Sequence, residues 1–164
     1  MTVHLEPRDV PLEDVLERVA RFDELQYNPE RYPDNGRDGN AKKIFTVLGP
    51  GLEVNNAGDS LPAIPIEEGF NITYVQVKPG NGPSLHVHDG NETFIPVNGR
   101  WKIIFGSKEE HSIDLGPLDC IAVPAYLPRR FVNITEGTPD EENILIAVLA
   151  GSRPKAMFVD PTLN

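Results

Sequence analysis

The chain has 164 residues, with 15 basic and 25 acidic side chains, a net charge of −10 and a pI near 4.8. A chain of this length forms one domain with a modest extension, and its acidic surface disfavours nucleic acid and anionic membranes as partners. The lone cysteine, Cys120, stands in an apolar run and is predicted to be a buried core thiol. The sequence lacks a basic-then-apolar leader pattern and an apolar run of about 18 residues, which predicts a cytoplasmic protein.

The first predicted element is a helix over residues 11–25. Asp9 is its candidate N-cap, Pro11 suits its first turn, and five apolar residues recur at helical spacing to form one stripe: Leu12, Val15, Leu16, Val19 and Phe22. This stripe needs a surface to cover, either on the same domain or on a second subunit. Because symmetric dimers are the commonest assembly, we expect a homodimer. Residues 28–40 are polar and rich in turn formers, so they predict a loop without chemistry.

From Lys42 onward, short apolar and alternating runs predict about nine strands joined by tight turns. Seven of these runs cover residues 44–48, 70–77, 101–105, 112–115, 120–123, 131–134 and 144–149, with a charged hairpin turn at 106–110. The other two are a strand that carries His86 and His88 and a return strand that begins at Glu92. Their spacing, with 16 prolines and 14 glycines spread along the chain, favours an all-β antiparallel sandwich or barrel. The predicted divisions are an N-terminal extension at 1–41, a barrel at 42–150 and a C-terminal tail at 151–164.

The most specific chemistry lies between Gly80 and Gly99. His86 and His88 are two apart on a predicted strand, so both imidazoles point to one side of it. A polar turn at residues 89–91 is predicted to reverse the chain, so that Glu92 opens the return strand almost opposite His88. Two imidazoles and one carboxylate at one point suit a divalent transition metal, namely iron, manganese, nickel, copper or zinc, and leave positions open for substrate.

The same spacing resembles the first motif of the cupin superfamily at every fixed position. It reads Gly80, five residues, His86-x-His88, three residues, Glu92, six residues and Gly99. The resemblance implies a cupin barrel, which is a double-stranded β-helix or jelly roll. It also implies that His86, His88 and Glu92 are metal ligands.

The second cupin motif is incomplete. Gly116, Pro124 and Asn133 are in register with it, but Tyr126 replaces the usual glycine and Arg129 replaces the usual third histidine. Arg129 is in phase with Asn133 along its strand, so its side chain should point into the barrel. A guanidinium has no lone pair to offer a metal and repels a dication, so the fourth-ligand role is unfilled.

Three functional interpretations follow from Arg129. In the first, His86, His88 and Glu92 hold a metal and Arg129 binds a substrate carboxylate beside it. In the second, the pocket is metal-free: Glu92 pairs with Arg129 and the histidines act as acid/base groups, as the resemblance implies for metal-independent sugar epimerases of this superfamily. In the third, the barrel only binds a small ligand. His111 follows an exposed charged run and is predicted to be a surface residue instead of a replacement ligand.

Four aromatic residues are candidates for the pocket lining and hence for substrate binding together with Arg129: Phe94, Phe131, Tyr74 and Trp101. Aromatic walls with one cation and a metal suit a small, anionic, carboxylate-bearing ligand. The resemblance then favours a dioxygenase-type oxidoreductase, with His86, His88, Glu92 and Arg129 as catalytic residues, although a decarboxylase or isomerase would use the same site.

Overall fold

The computed structural model describes residues 3–164, and this part of the chain is mostly β-structure. It contains one short helix, α1 (Leu12–Leu16), and two single turns of 3₁₀-helix at Phe22–Glu24 and Pro161–Leu163. The strands, in chain order, are β1 (Lys43–Leu48), β2 (Glu53–Val54), β3 (Phe70–Val77), β4 (His86–His88), β5 (Glu92–Pro96), β6 (Trp101–Phe105), β7 (His111–Leu115), β8 (Ile121–Val123), β9 (Arg129–Asn133), β10 (Asn143–Ala150) and β11 (Lys155–Phe158).

The strands form two sheets that enclose one hydrophobic core. The five-stranded sheet has the order β1-β3-β10-β5-β8, and the six-stranded sheet has the order β2-β11-β4-β9-β6-β7. Neighbouring strands are antiparallel, except that β2 and β11 are parallel. Core side chains come from both sheets, with Phe94, Leu145 and Trp101 fully buried in one cluster. The prediction of an all-β chain is therefore confirmed.

The turn after His88 differs from its prediction. The strands β4 and β5 are not hydrogen-bonded neighbours, because β4 belongs to the six-stranded sheet and β5 to the five-stranded sheet. Residues 89–91 carry the chain from one sheet to the other, as in a sandwich whose strands switch sheets at a corner. Glu92 therefore approaches His88 across the interior of the sandwich, and the predicted antiparallel pairing of these two residues is wrong.

The N-terminal helix is much shorter than predicted. It covers five residues, is capped at Pro11 without a side-chain hydrogen bond, and does not use Asp9. A helix of this length has little intrinsic stability, and the apolar stripe that should have packed it stays exposed, with Leu12 at 69% and Leu16 at 58%. Only the end of the stripe contacts the barrel, where the Phe22 ring packs 6.0 Å from that of Phe45.

Residues 28–40 form a loop, as predicted, but part of it, within residues 31–34, is buried instead of solvated. Asp34 is fully buried, and its carboxylate accepts hydrogen bonds from Lys42 Nζ at 2.6 Å and from the Ser84 backbone N–H at 2.8 Å. Arg31 and Tyr32 are also buried. The polar composition of this segment predicted exposure, but Asp34 and Lys42 satisfy each other, and Asp34 also binds the backbone at Ser84, so both can be buried.

The predicted burial of Cys120 is wrong. It lies just before β8 and is exposed. At the C-terminus, β11 pairs with β4 and β2, so the six-stranded sheet continues beyond the predicted barrel boundary at residue 150. In the described residues, no helix is both long and apolar enough to cross a membrane.

Candidate functional site

His86 and His88 project from β4 into the interior, and each ring is fixed through its Nδ1 atom. His86 Nδ1 lies 2.8 Å from the Ser84 carbonyl oxygen, and His88 Nδ1 lies 3.1 Å from the Lys155 carbonyl oxygen. A carbonyl can only accept, so in each neutral imidazole Nδ1 carries the proton and Nε2 has the free lone pair. This is how metal-binding histidines are commonly oriented by their surroundings.

Glu92 completes the group from the facing sheet. One candidate ligand atom from each of His86, His88 and Glu92 lies within 4.8 Å of the other two, and all three side chains are buried. His88 Nε2 is 3.2 Å from Glu92 Oε2, yet neither atom makes a hydrogen bond of good geometry in the described part of the chain. Two ligands of one metal ion, each about 2 to 2.2 Å from it, are separated by about this distance. The three residues therefore fit a divalent transition metal.

Arg129 is enclosed behind His86, His88 and Glu92, and in the described structure it does not line the cavity beside them. It is fully buried, pairs across the ladder with His86, and its Nε is 3.7 Å from Glu92 Oε2. Its Nη2 donates to the Pro124 carbonyl oxygen at 2.7 Å, while Nε and Nη1 have no hydrogen-bond partner among residues 3–164. The guanidinium thus offsets the charge of Glu92 without a hydrogen bond to it, which leaves the carboxylate available as a ligand.

The turn before Arg129 contains a residue in the left-handed conformation, Tyr126. Tyr126, which stands where the motif has glycine, has φ of 62°. Glycine adopts this left-handed conformation most easily, and a tyrosine in it is strained. The Tyr126 N–H donates to the His88 carbonyl oxygen at 2.8 Å, which ties this turn to the histidine strand.

A small buried cavity adjoins the three candidate ligands. Its volume is about 50 Å³, and its wall includes His86, His88, Glu92 and Phe131. A space of this size holds one or two water molecules, whereas sites for drug-sized ligands exceed about 300 Å³. A ligand of drug size therefore does not fit inside it in this conformation.

The other predicted lining residues lie elsewhere. Phe94 and Trp101 are completely buried in the core, where each ring packs against Phe131. Tyr74 lies near Phe22, at a ring distance of 6.3 Å. Of the four aromatic candidates, Phe131 is the one that lines the cavity in the described structure. His111 is exposed at the start of β7, as predicted.

Sequence reasoning missed Tyr32 and Lys42, which also line the cavity. Tyr32 is 7% exposed, and Lys42 Nζ lies 5.6 Å from the centre of its ring. A possible signal was the tyrosine between two charged residues in Arg31-Tyr32-Pro33-Asp34, since an aromatic residue in a polar segment often anchors it. The distance of more than 40 residues from the histidines concealed its location.

The charges of the site act on one another. Burial, together with the neighbouring His88, lowers the pKa of His86 to about 4. Burial alone would raise the pKa of Glu92. The interactions of this carboxylate with His88, His86 and Arg129 have the larger, opposite effect, so the pKa of Glu92 is lowered. At neutral pH the site therefore presents a neutral imidazole at His86 and an ionised carboxylate, which are the protonation states that a metal requires.

We expect acid to destabilise the metal-free protein through His86. Above pH 6.5 this imidazole is neutral in both the folded and the unfolded chain, so its full contribution is present. As the pH falls towards 4, only the unfolded chain takes up the proton, and about 3 kcal/mol of stability is lost. The measurement is the free energy of unfolding in urea, with a chelator present, at several values between pH 7 and pH 4.

The matched comparison uses His86→Asn and His111→Asn. The first variant should lose clearly less stability than wild type over this pH range, and the second should lose as much as wild type. Equal losses in all three proteins would show that His86 does not titrate in this way.

No protein-family profile and no curated protein matches this sequence. Solved structures do match it. The polyketide cyclase RemF from Streptomyces resistomycificus is 16% identical, with a TM-score of 0.60 over 86% of this chain and 84% of that one. Rru_A2000 from Rhodospirillum rubrum, a cupin-2 domain, is 14% identical, with a TM-score of 0.59 over 88% and 82%.

The oxalate decarboxylase of Lactobacillus farciminis is 16% identical, with a TM-score of 0.58. The match covers 84% of this chain but only 34% of that enzyme, so this chain spans about a third of the enzyme's length. At these identities the similarity shows the fold alone. The two-sheet architecture, the residues 80–99 that resemble the first cupin motif and these structural matches agree, and the chain has the fold of the cupin superfamily.

Proposed function

We propose that this protein is a metal-dependent cupin enzyme that binds a divalent transition metal through His86, His88 and Glu92 and acts on a small carboxylate-bearing substrate. The observation that carries the proposal is the pair of Nδ1 hydrogen bonds to backbone carbonyls, which turn both Nε2 lone pairs towards Glu92. A core histidine would also need a partner for its N–H, but its second nitrogen would usually be hydrogen-bonded as well, whereas His88 Nε2 and Glu92 Oε2 lie side by side without a hydrogen-bond partner in the described residues.

The bound metal would polarise a substrate oxygen or activate a small co-substrate. The protein residues have separate tasks. The Ser84 and Lys155 carbonyls hold the two imidazoles, and Arg129 keeps Glu92 ionised from behind. Phe131 contributes an apolar wall to the cavity. Among the chemistries compatible with such a site, we favour a dioxygenase-type oxidation.

A second candidate is a metal-free cupin that binds a small ligand or isomerises it. The observation in its favour is the 3.7 Å distance between Arg129 Nε and Glu92 Oε2, because a guanidinium so near the carboxylate competes with a metal cation for it. The structural relatives include a cyclase and a decarboxylase, so the fold is compatible with both candidates.

Metal titration of the wild type and of Arg129→His separates the two candidates. The wild type should bind about one ion per chain of at least one of iron(II), manganese, nickel, copper or zinc. Arg129→His should bind at least about tenfold more tightly, because it removes a positive charge beside Glu92 and adds an imidazole in its place.

The matched control is Arg130→His, on the opposite face of β9, where Arg130 pairs with Glu109. It should bind metal as the wild type does. Wild type that binds none of these ions, together with Arg129→His that binds no better, would favour the metal-free candidate.

A further inference from the structure

Arg31 is a buried cation without a carboxylate partner. Its side chain donates from Nη1 to the Gly58 carbonyl oxygen at 2.5 Å and from Nη2 to the Leu52 carbonyl oxygen at 2.6 Å. Its Nε is buried and has no hydrogen-bond partner, and no carboxylate of the described chain lies within salt-bridge distance of the guanidinium. Since the residue is only 6% exposed, solvent compensates little of its charge.

Arg31 lies beside a second space, which shares a wall with the small cavity. An open groove of about 810 Å³ is lined by Arg31, by most of residues 50–60 and by residues 155–157. The wall that this groove shares with the small cavity consists of Leu52, Val54, His88, Ala156 and Met157. Arg31 binds the carbonyls of Leu52 and Gly58, and the segment between these two residues contains β2. Leu52 and Val54 of this segment belong to the shared wall.

Tyr32, the next residue, faces the small cavity itself. The Arg31 side chain lies 5.3 Å from the centre of the Tyr32 ring. Burial raises the pKa of Tyr32, the Arg31 charge acts in the opposite direction, and Glu92 raises it further. The phenol thus stays protonated at neutral pH and lies within the electrostatic reach of both Arg31 and the candidate metal ligands.

Arg129 also has nitrogen atoms without a hydrogen-bond partner, but its surroundings are less suited to a substrate. It is fully enclosed and lines neither the cavity nor the groove in the described structure, and Glu92 already offsets its charge. The groove next to the 50 Å³ cavity is large enough for a bigger substrate, and two guanidinium groups line it, those of Arg31 and Arg153. Arg153 pairs with Glu67, whereas Arg31 has no carboxylate partner in the described structure.

We propose that Arg31 and Tyr32, and not Arg129, form the anion-binding end of the substrate site, where Arg31 pairs with a carboxylate group and the Tyr32 hydroxyl donates a hydrogen bond to it. This inference rests on the proposed function for the identity of the substrate as a carboxylate. A carboxylate bound to Arg31 gains a charge-assisted hydrogen bond from the free Nε, and it compensates a charge that the folded protein otherwise leaves buried.

The test measures binding of acetate, succinate, benzoate and inorganic phosphate by calorimetry and by the rise in melting temperature, at constant ionic strength set with chloride. The full-length chain is used both loaded with manganese and treated with a chelator. Wild type should bind at least one carboxylate in both states. Arg31→Met should bind it about 10- to 100-fold more weakly, and Tyr32→Phe should weaken it less.

Arg37→Met is the control, because Arg37 lies in the same segment but makes an exposed pair with Asp160. It should bind carboxylates as the wild type does. If Arg31→Met does not fold, Arg31→Lys replaces it: lysine keeps the charge but loses the guanidinium fork, so binding should again weaken.

Carboxylate binding that is unchanged in the Arg31 variants, or no carboxylate binding by wild type at millimolar concentration, would overturn the inference and leave Arg31 as a clamp for residues 52–58. Phosphate bound more tightly than every carboxylate would contradict the substrate class. The metal content of each protein is measured in parallel. Arg31-dependent binding in a chain that takes up no metal would support this inference while refuting the proposed metal centre.

Discussion

Replacement of His86 by alanine is expected to abolish the metal site. One of three ligands is removed and the remaining two cannot hold a divalent ion alone, so affinity should fall by at least about 100-fold. Metal present at about 100 times its dissociation constant stabilises wild type by about 2.7 kcal/mol, and this gain should be absent from the variant. Elemental analysis and metal-dependent melting curves measure both effects.

His111→Ala is the matched control, because it removes an exposed histidine at the start of β7. Its metal content and its metal-dependent melting should equal those of wild type. A His86→Ala protein that keeps a full complement of metal would show that the ion binds elsewhere and that the proposed centre is wrong.

The second large effect is expected at the ion pair between Asp34 and Lys42. The two charges are 2.6 Å apart, with side-chain exposures of 0% and 2%. Asp34→Asn leaves the ammonium of Lys42 buried beside a neutral amide, and breaking such a buried pair costs about 3 to 5 kcal/mol. Burial already lowers the pKa of Lys42, and Asp34 is the group that opposes this effect. Urea denaturation at pH 7 gives the loss in unfolding free energy.

The surface pair of Lys102 and Asp114 provides the control, since its distance is also 2.6 Å but both side chains are more than a third exposed. Asp114→Asn should cost less than about 1 kcal/mol. In the double variant Asp34→Asn with Lys42→Met, the two losses should not add, because the second change removes the charge that the first left unpaired. Equal costs at Asp34 and Asp114 would contradict this account.

Asp34 also connects the N-terminal segment to the candidate metal site. Its second carboxylate oxygen accepts the Ser84 N–H, and the Ser84 carbonyl accepts the proton of His86 Nδ1. The orientation of His86 therefore depends on a residue 52 positions earlier in the chain. Asp34→Asn should accordingly weaken metal binding by about tenfold in protein that remains folded.

The sequence alone determined that His86 and His88 share one buried face and that the chain is all-β. Both are local properties: strand alternation places His86 and His88 on one face, and six of the predicted strands match the structure within one residue at each end, including β3 and β6. The same alternation placed Arg129 inward in phase with Asn133, and both are fully buried. Only the identity and spacing of nearby residues were needed for these inferences.

The tertiary structure decided what depends on distant contacts. The approach of Glu92 to His88 from the opposite sheet follows from which strands pair, and no local pattern specifies this. The fate of the N-terminal helix depends on whether a surface covers its apolar stripe, so its periodicity was not sufficient. Arg31, Tyr32, Asp34 and Lys42 look like solvated loop residues in sequence, because the partners that make their burial favourable lie up to 50 residues away.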